Sequence, residues 1–144
     1  MTDGGDLEVL SRRECIDLLA TVPVGRIVYT ESALPAVQLV NFRLAGNTVV
    51  IRTAPGSKLA AAARHAIMAF EADRYDEDAR IGWSVTVVGH AWVVEELDEI
   101  AALERKPLRP WAPGRRDHYV RIAIERVTGR RLTVPSPEKN GEPV

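Results

Sequence analysis

A chain of 144 residues, 46% hydrophobic and 27% charged, has the size and apolar content of one globular domain. Its formal net charge of −1 gives no electrostatic basis for general nucleic-acid or membrane-surface binding, and no apolar run is long enough to span a bilayer. The single cysteine, Cys15, excludes an intrachain disulfide and a cysteine-rich zinc site.

The chain begins Thr2-Asp3-Gly4-Gly5-Asp6, acidic and polar where a secretory signal would be basic and then apolar, so a cytoplasmic protein is expected. Residues 1–10 read as a flexible leader, 11–132 as one folded domain and 133–144 as a flexible, Pro-containing tail. Ser11-Arg12-Arg13-Glu14 has the form of a capping box. It opens an amphipathic helix through Ile16, Leu18 and Leu19 that stops before Pro23 and holds Cys15 as a structural thiol. Residues 25–30 form a β-rich run. Residues 36–43 alternate, with Val37, Leu39 and Asn41 on one face and Gln38, Val40 and Phe42 on the other. Ala45-Gly46-Asn47 predicts a tight turn, and with it a hairpin of 37–43 against 48–53.

The next stretch, Arg52-Thr53-Ala54-Pro55-Gly56-Ser57-Lys58, sets two cations where an Ala-rich helix starts. A helix N-terminus carries free N–H groups and partial positive charge, so Lys there is unfavourable unless an anion is bound. Phosphate would satisfy Arg52, Ser57 and Lys58 together. The alternative is a plain strand-to-helix turn, with Ser57 as N-cap and both cations solvated. Local chemistry leaves both readings open.

The helix predicted from Ser57 extends to about His65, and residues 67–73 return as a strand. A charged loop spans 74–80. Residues 82–94 are too long for an average strand, so a bulge or bend is expected at Gly89. A short helix at 98–105, an extended Pro-rich segment around Trp111 and a last strand at 119–127 complete the order. Short connections favour antiparallel pairing, and a long bent strand with hairpins favours closure into a small barrel. The fold class expected is α+β. His65, His90 and His118 show no mutual ligand spacing, and no metal site is expected. Arg26 is expected to pair with Glu71.

In this order, several segments resemble the flavin-binding split-barrel superfamily that includes pyridoxamine 5'-phosphate oxidase. They are Val24-Gly25-Arg26-Ile27, Val37-Gln38-Leu39-Val40-Asn41-Phe42, Ile51-Arg52-Thr53 with Gly56-Ser57-Lys58, Ala69-Phe70-Glu71-Ala72-Asp73, Gly82-Trp83-Ser84-Val85 with Gly89-His90-Ala91, and Val127-Thr128-Gly129-Arg130-Arg131. The similarity covers about residues 8–132. It is strongest to the small branch holding nitroimidazole-resistance-type reductases and actinobacterial deazaflavin-binding proteins.

The resemblance implies a six-stranded antiparallel split β-barrel with short inserted helices, working as a homodimeric FMN-binding oxidoreductase on a small organic substrate. By the same resemblance Arg52, Ser57 and Lys58 would hold the flavin phosphate, with Thr53 near the ribityl chain. Leu39, Val40, Asn41, Val50 and Ile51 would touch the ring, and Trp83 and Ser84 would come from the partner chain. The deazaflavin coenzyme F-420 is the alternative cofactor. A non-catalytic flavin or haem carrier or sensor is the third reading, although a single strand histidine such as His90 is more often structural. True pyridoxamine 5'-phosphate oxidases end in a segment with Arg and His that grips the substrate phosphate. This chain ends in Thr128-Gly129-Arg130-Arg131-Leu132 and a Pro-containing tail, so vitamin B6 oxidation is not implied.

Overall fold

The computed structural model describes residues 6–106 and 118–133. The element order is β1 (Asp6–Val9), α1 (Arg12–Leu19), β2 (Val24–Glu31), β3 (Leu34–Ala45), β4 (Thr48–Thr53), α2 (Ser57–Ala63), β5 (Ile67–Asp76), β6 (Ile81–Val93), α3 (Leu97–Glu104), β7 (His118–Ala123) and β8 (Arg126–Thr133). The sheet runs β1-β8-β6-β5-β2-β3-β4-β7, and a second pairing of β6 with β7 closes six of these strands into an antiparallel barrel. β8 and β1 extend the sheet beyond it. The expected α+β barrel is therefore present.

β6 makes the closure. Its first part, Ile81 to Val88, pairs with β8, and Ala91 to Val93 pair with β7. The change of partner falls at Gly89, where a Cβ would stand 1.8 Å from the Ala123 carbonyl oxygen, so only glycine admits this approach. Inside the barrel, alternate residues bury Met68, Phe70 and Ala72 of β5, Val85 and Val87 of β6, and Ile51, Val120 and Ile122 opposite. Each large apolar side chain buried this way contributes about 1.5–3 kcal/mol. Phe42 and Phe70 meet at 4.5 Å between centroids, and Gly25 leaves Phe70 its space: a Cβ there would lie 2.3 Å from the ring.

The capping box forms as expected, with Ser11 Oγ accepting from the Glu14 amide at 3.1 Å and Glu14 Oε1 accepting from the Ser11 amide at 2.8 Å. It aims Cys15 and Leu19 into the core against β8. The turn after α2 ties the helix to β6 through Ala91 N–H donating to Ala66 C=O at 3.0 Å. α3 covers a second apolar cluster outside the barrel, made by Val50, Val94, Leu103 and Tyr119.

Five expectations differ from the structure. Asp6–Val9, expected within the leader, is a strand paired to β8. β3 starts earlier than expected and forms a hairpin with β2 through Ser32 and Ala33, both at positive φ (51° and 66°). Its expected pairing with β4 is consequently short, running only from Phe42↔Ile51 to Ala45↔Thr48. The charged segment after Asp73 continues as strand to Asp76 before turning. The last predicted strand is two strands, parted at Ile124 and Glu125, because β7 pairs with β4 and β8 with the first part of β6. The Pro-rich segment around Trp111, the residues before Asp6 and the tail beyond Thr133 lie outside the described residues.

Candidate functional site

β4 ends in the stretch with the two cations. Arg52 is half-buried at the end of this strand, and its register partner on β7 is Tyr119. Its guanidinium carbon sits 5.8 Å from the centroid of the Tyr119 ring, a cation–π contact. The Tyr119 hydroxyl is buried without a hydrogen-bond partner among the described residues. Gly56, not Ser57, is the N-cap of α2, and no side chain caps this helix. Gly56 has φ 157° and ψ −164°, a glycine region of backbone space, and a Cβ built on it meets nothing within 4 Å. Among the described residues, nothing crowds Gly56 at the start of the helix.

Ser57 donates its hydroxyl hydrogen to Glu31 Oε2 at 2.9 Å, which corrects the N-cap expectation and brings a carboxylate to the turn. Lys58 is half-buried, burial lowers its pKa, and no carboxylate pairs with it among the described residues. α2 has only seven residues, so its end carries little of a long helix's field and the side-chain cations dominate. The turn thus brings a half-buried lysine near Arg52 at an uncapped helix start, chemistry suited to an anion.

The barrel splits beside this turn. Upstream of Phe42, β3 pairs with β2, and no strand pairs with its other edge over Val37 and Leu39 among the described residues. Leu39 is 43% exposed and Asn41 half-buried, on the face of β3 opposite Val40 and Phe42. Val40 and Ile51 point into the barrel core, whereas Val50 points the other way, beneath α3. Any ligand contact by these three runs through backbone. Thr53 is also buried, its hydroxyl 3.2 Å from the Ala54 carbonyl oxygen.

Trp83 and Ser84 lie elsewhere. Arg52 lies level with Tyr119, whose C=O accepts from Val94 N–H at 2.9 Å just past the end of β6 opposite to the one that carries Trp83 and Ser84. Within one chain they do not meet the cations. Arg26 pairs with Glu71 at 2.9 Å as expected and also with Asp73 at 3.0 Å. His90 is exposed, with Nδ1 3.0 Å from Glu125 Oε2. Tyr119 and Glu31 were missed by sequence reasoning: Tyr119 could be found only through strand register, and Glu31 meets Ser57 across 26 positions.

A family model described as pyridoxamine 5'-phosphate oxidase matches residues 11–131. An uncharacterized protein of Mycobacterium tuberculosis is 39% identical over 132 residues, spanning 88% of this chain and 86% of that one. Among solved structures, the FAD-binding protein of Mycobacterium smegmatis is 37% identical with TM-score 0.71, covering 87% of this chain and 97% of that one. A Corynebacterium glutamicum protein, provisionally assigned as a pyridoxamine 5'-phosphate oxidase, is 35% identical with TM-score 0.79, covering 90% of this chain and 100% of its own.

Proposed function

From the premise that the chain belongs to the pyridoxamine 5'-phosphate oxidase family, we propose that it is a flavin-binding oxidoreductase acting on a small organic substrate. The observation that carries this reading is Lys58, half-buried and without a carboxylate partner among the described residues, near Arg52 at a helix start that no side chain among them caps. An anionic flavin phosphate fits that set, with Arg52 and Lys58 as its charged ligands and Leu39 and Asn41, on one face of β3, for the ring. Ser57 joins only if Glu31 releases its hydroxyl. When bound, the flavin supplies the redox chemistry, and the protein seats it and limits its access to water.

The assembly in this reading is a homodimer, in which Trp83 and Ser84 of one copy reach the flavin of the other. Leu34 at 67% exposure and Val37 at 63% sit on a hairpin exposed along both faces, a surface suited to a second copy. Flavin class is decided by titrating the purified protein with FMN, FAD and coenzyme F-420 while following visible absorbance and heat. Saturable binding of FMN or FAD supports the reading. Binding of coenzyme F-420 alone favours the deazaflavin alternative, and binding of none of the three removes the cofactor assignment. Light scattering that returns a monomer would remove the shared site.

A further inference from the structure

Tyr119 is buried on the outer face of the barrel, in the apolar cluster it forms with Val50, Val94 and Leu103 of α3. Alternation along β7 puts it there. Val120 and Ile122 point into the barrel core, so Tyr119 and Arg121 face the opposite way. Arg52 faces that way from β4, since its neighbour Ile51 points inward, and the β4–β7 register sets it directly beside Tyr119. Its guanidinium carbon then stands 5.8 Å from the centroid of the ring.

Several contacts fix the ring. Tyr119 C=O accepts from Val94 N–H at 2.9 Å, which ties its backbone to the end of β6. Arg43 and Arg121, the register partners of Val50 on either side, hold α3 over the cluster. Arg43 donates to Leu103 C=O at 2.8 Å, and Arg121 donates to Glu99 Oε2 at 2.6 Å. The Tyr119 hydroxyl, by contrast, has no hydrogen-bond partner among the described residues, and its burial keeps it from meeting a ligand directly. A buried hydroxyl left in that state costs stability, so it does not account for an aromatic residue here. What remains is the ring face, and that face carries Arg52.

A mobile arginine loses rotamer freedom when it grips a phosphate, and one already stacked on a fixed ring loses less. We propose that Tyr119 is a positioning residue for the cofactor phosphate: its ring holds the Arg52 guanidinium in the orientation in which it meets the anion. This role rests on the reading that Arg52 binds the flavin phosphate. It adds a residue that touches no cofactor atom and acts only through Arg52.

Calorimetric titration of the full chain with FMN and with FAD tests it, in a double-mutant cycle of Tyr119→Leu and Arg52→Ala. Tyr119→Leu is expected to weaken binding about three- to tenfold in the wild-type background, and less than about twofold where Arg52 is already alanine. Tyr119→Phe keeps the ring, so it is expected to bind like wild type and to melt at or above the wild-type temperature. Phenylalanines of increasing fluorination at position 119 keep the ring's shape while weakening its negative face, which separates the cation's seat from mere packing even where Tyr119→Leu fails to fold. Affinity is expected to fall stepwise along that series, and only with Arg52 present. An affinity unmoved by fluorination, or losses in Tyr119→Leu that are equal with and without Arg52, would overturn the proposal. So would a Tyr119→Phe variant that binds as weakly as Tyr119→Leu. If the wild type binds neither flavin, or Arg52→Ala binds as the wild type does, the phosphate reading itself falls and this role falls with it.

Discussion

Lys58 shows how one residue can be disfavoured in the folded chain and still be kept. Burial lowers its pKa below 10.5, so the fold disfavours its charge. As pH rises through the lowered value toward 10.5, the unfolded chain binds more protons than the folded one, and stability rises. At neutral pH the cation is therefore unfavourable until an anion meets it. Lys58→Met is expected to melt at or above the wild-type temperature without cofactor, to flatten the alkaline rise, and to weaken flavin binding at least about tenfold. A lowered melting temperature with unchanged flavin affinity would make Lys58 a structural cation. Glu31 tests the same turn with the opposite sign. Its carboxylate holds Ser57 and would repel a phosphate, so Glu31→Gln is expected to strengthen flavin binding about two- to fivefold in the same titration. Weaker binding in that variant would move the phosphate elsewhere.

At the level of elements, β6 depends on one position. Gly89→Ala sets a methyl group against the Ala123 carbonyl, a backbone atom that cannot swing aside, where β6 leaves β8 for β7. Loss of about 3 kcal/mol or more is expected in denaturant unfolding, and a near-neutral effect would mean the barrel does not close there. This bend was legible because the apolar run outlasts an ordinary strand and carries a glycine in its interior. The capping box was legible because its chemistry is local. Two features were hidden for physical reasons. Ser32 and Ala33 adopt a positive-φ turn without the Gly, Asn or Asp that marks one, so the β2–β3 hairpin left no turn signal. The break between β7 and β8 left none either, since Val120, Ile122 and Ile124 keep the alternation of one continuous strand. Alternation reports the face a residue occupies, while the neighbouring strand is chosen by long-range contacts. At that break, Asn47 C=O accepts from Ile124 N–H at 3.0 Å and Arg12 donates to Ile124 C=O at 2.9 Å.

Across the whole molecule, sequence reasoning named candidate positions, and the fold decides which of them lie near one another. Arg52 and Lys58 could be read as a pair because they flank one turn, whereas the distance from them to Trp83 follows from the run of β6. The orientations of Val50 and Ile51 were not legible either, because both faces of β4 are buried, one by the barrel core and one by α3. The Arg26–Glu71 pair was legible, yet its third member, Asp73, gives it a pH response. Burial first, and then the neighbouring Asp73, push Glu71 up from 4.5 to about 7, against the pull of Arg26. Arg26 answers chiefly to Asp73, which raises its own pKa. Between pH 4.5 and about 7 the folded chain therefore keeps a proton on Glu71 that the unfolded chain has released, and stability falls as pH rises through that window. Glu14 and Glu125 act with the opposite sign: both pKa values are lowered by hydrogen bonds, to Ser11 and to His90, so their contribution is lost only as pH falls below 4.5. Glu71→Gln keeps an acceptor for Arg26 and removes the titration. Its melting temperature relative to wild type is expected to be nearly equal at pH 5 and higher at pH 8, the shared carboxylates cancelling in the difference. A difference that is the same at both pH values would show that Glu71 ionises normally, and that Arg26 balances both carboxylates at once.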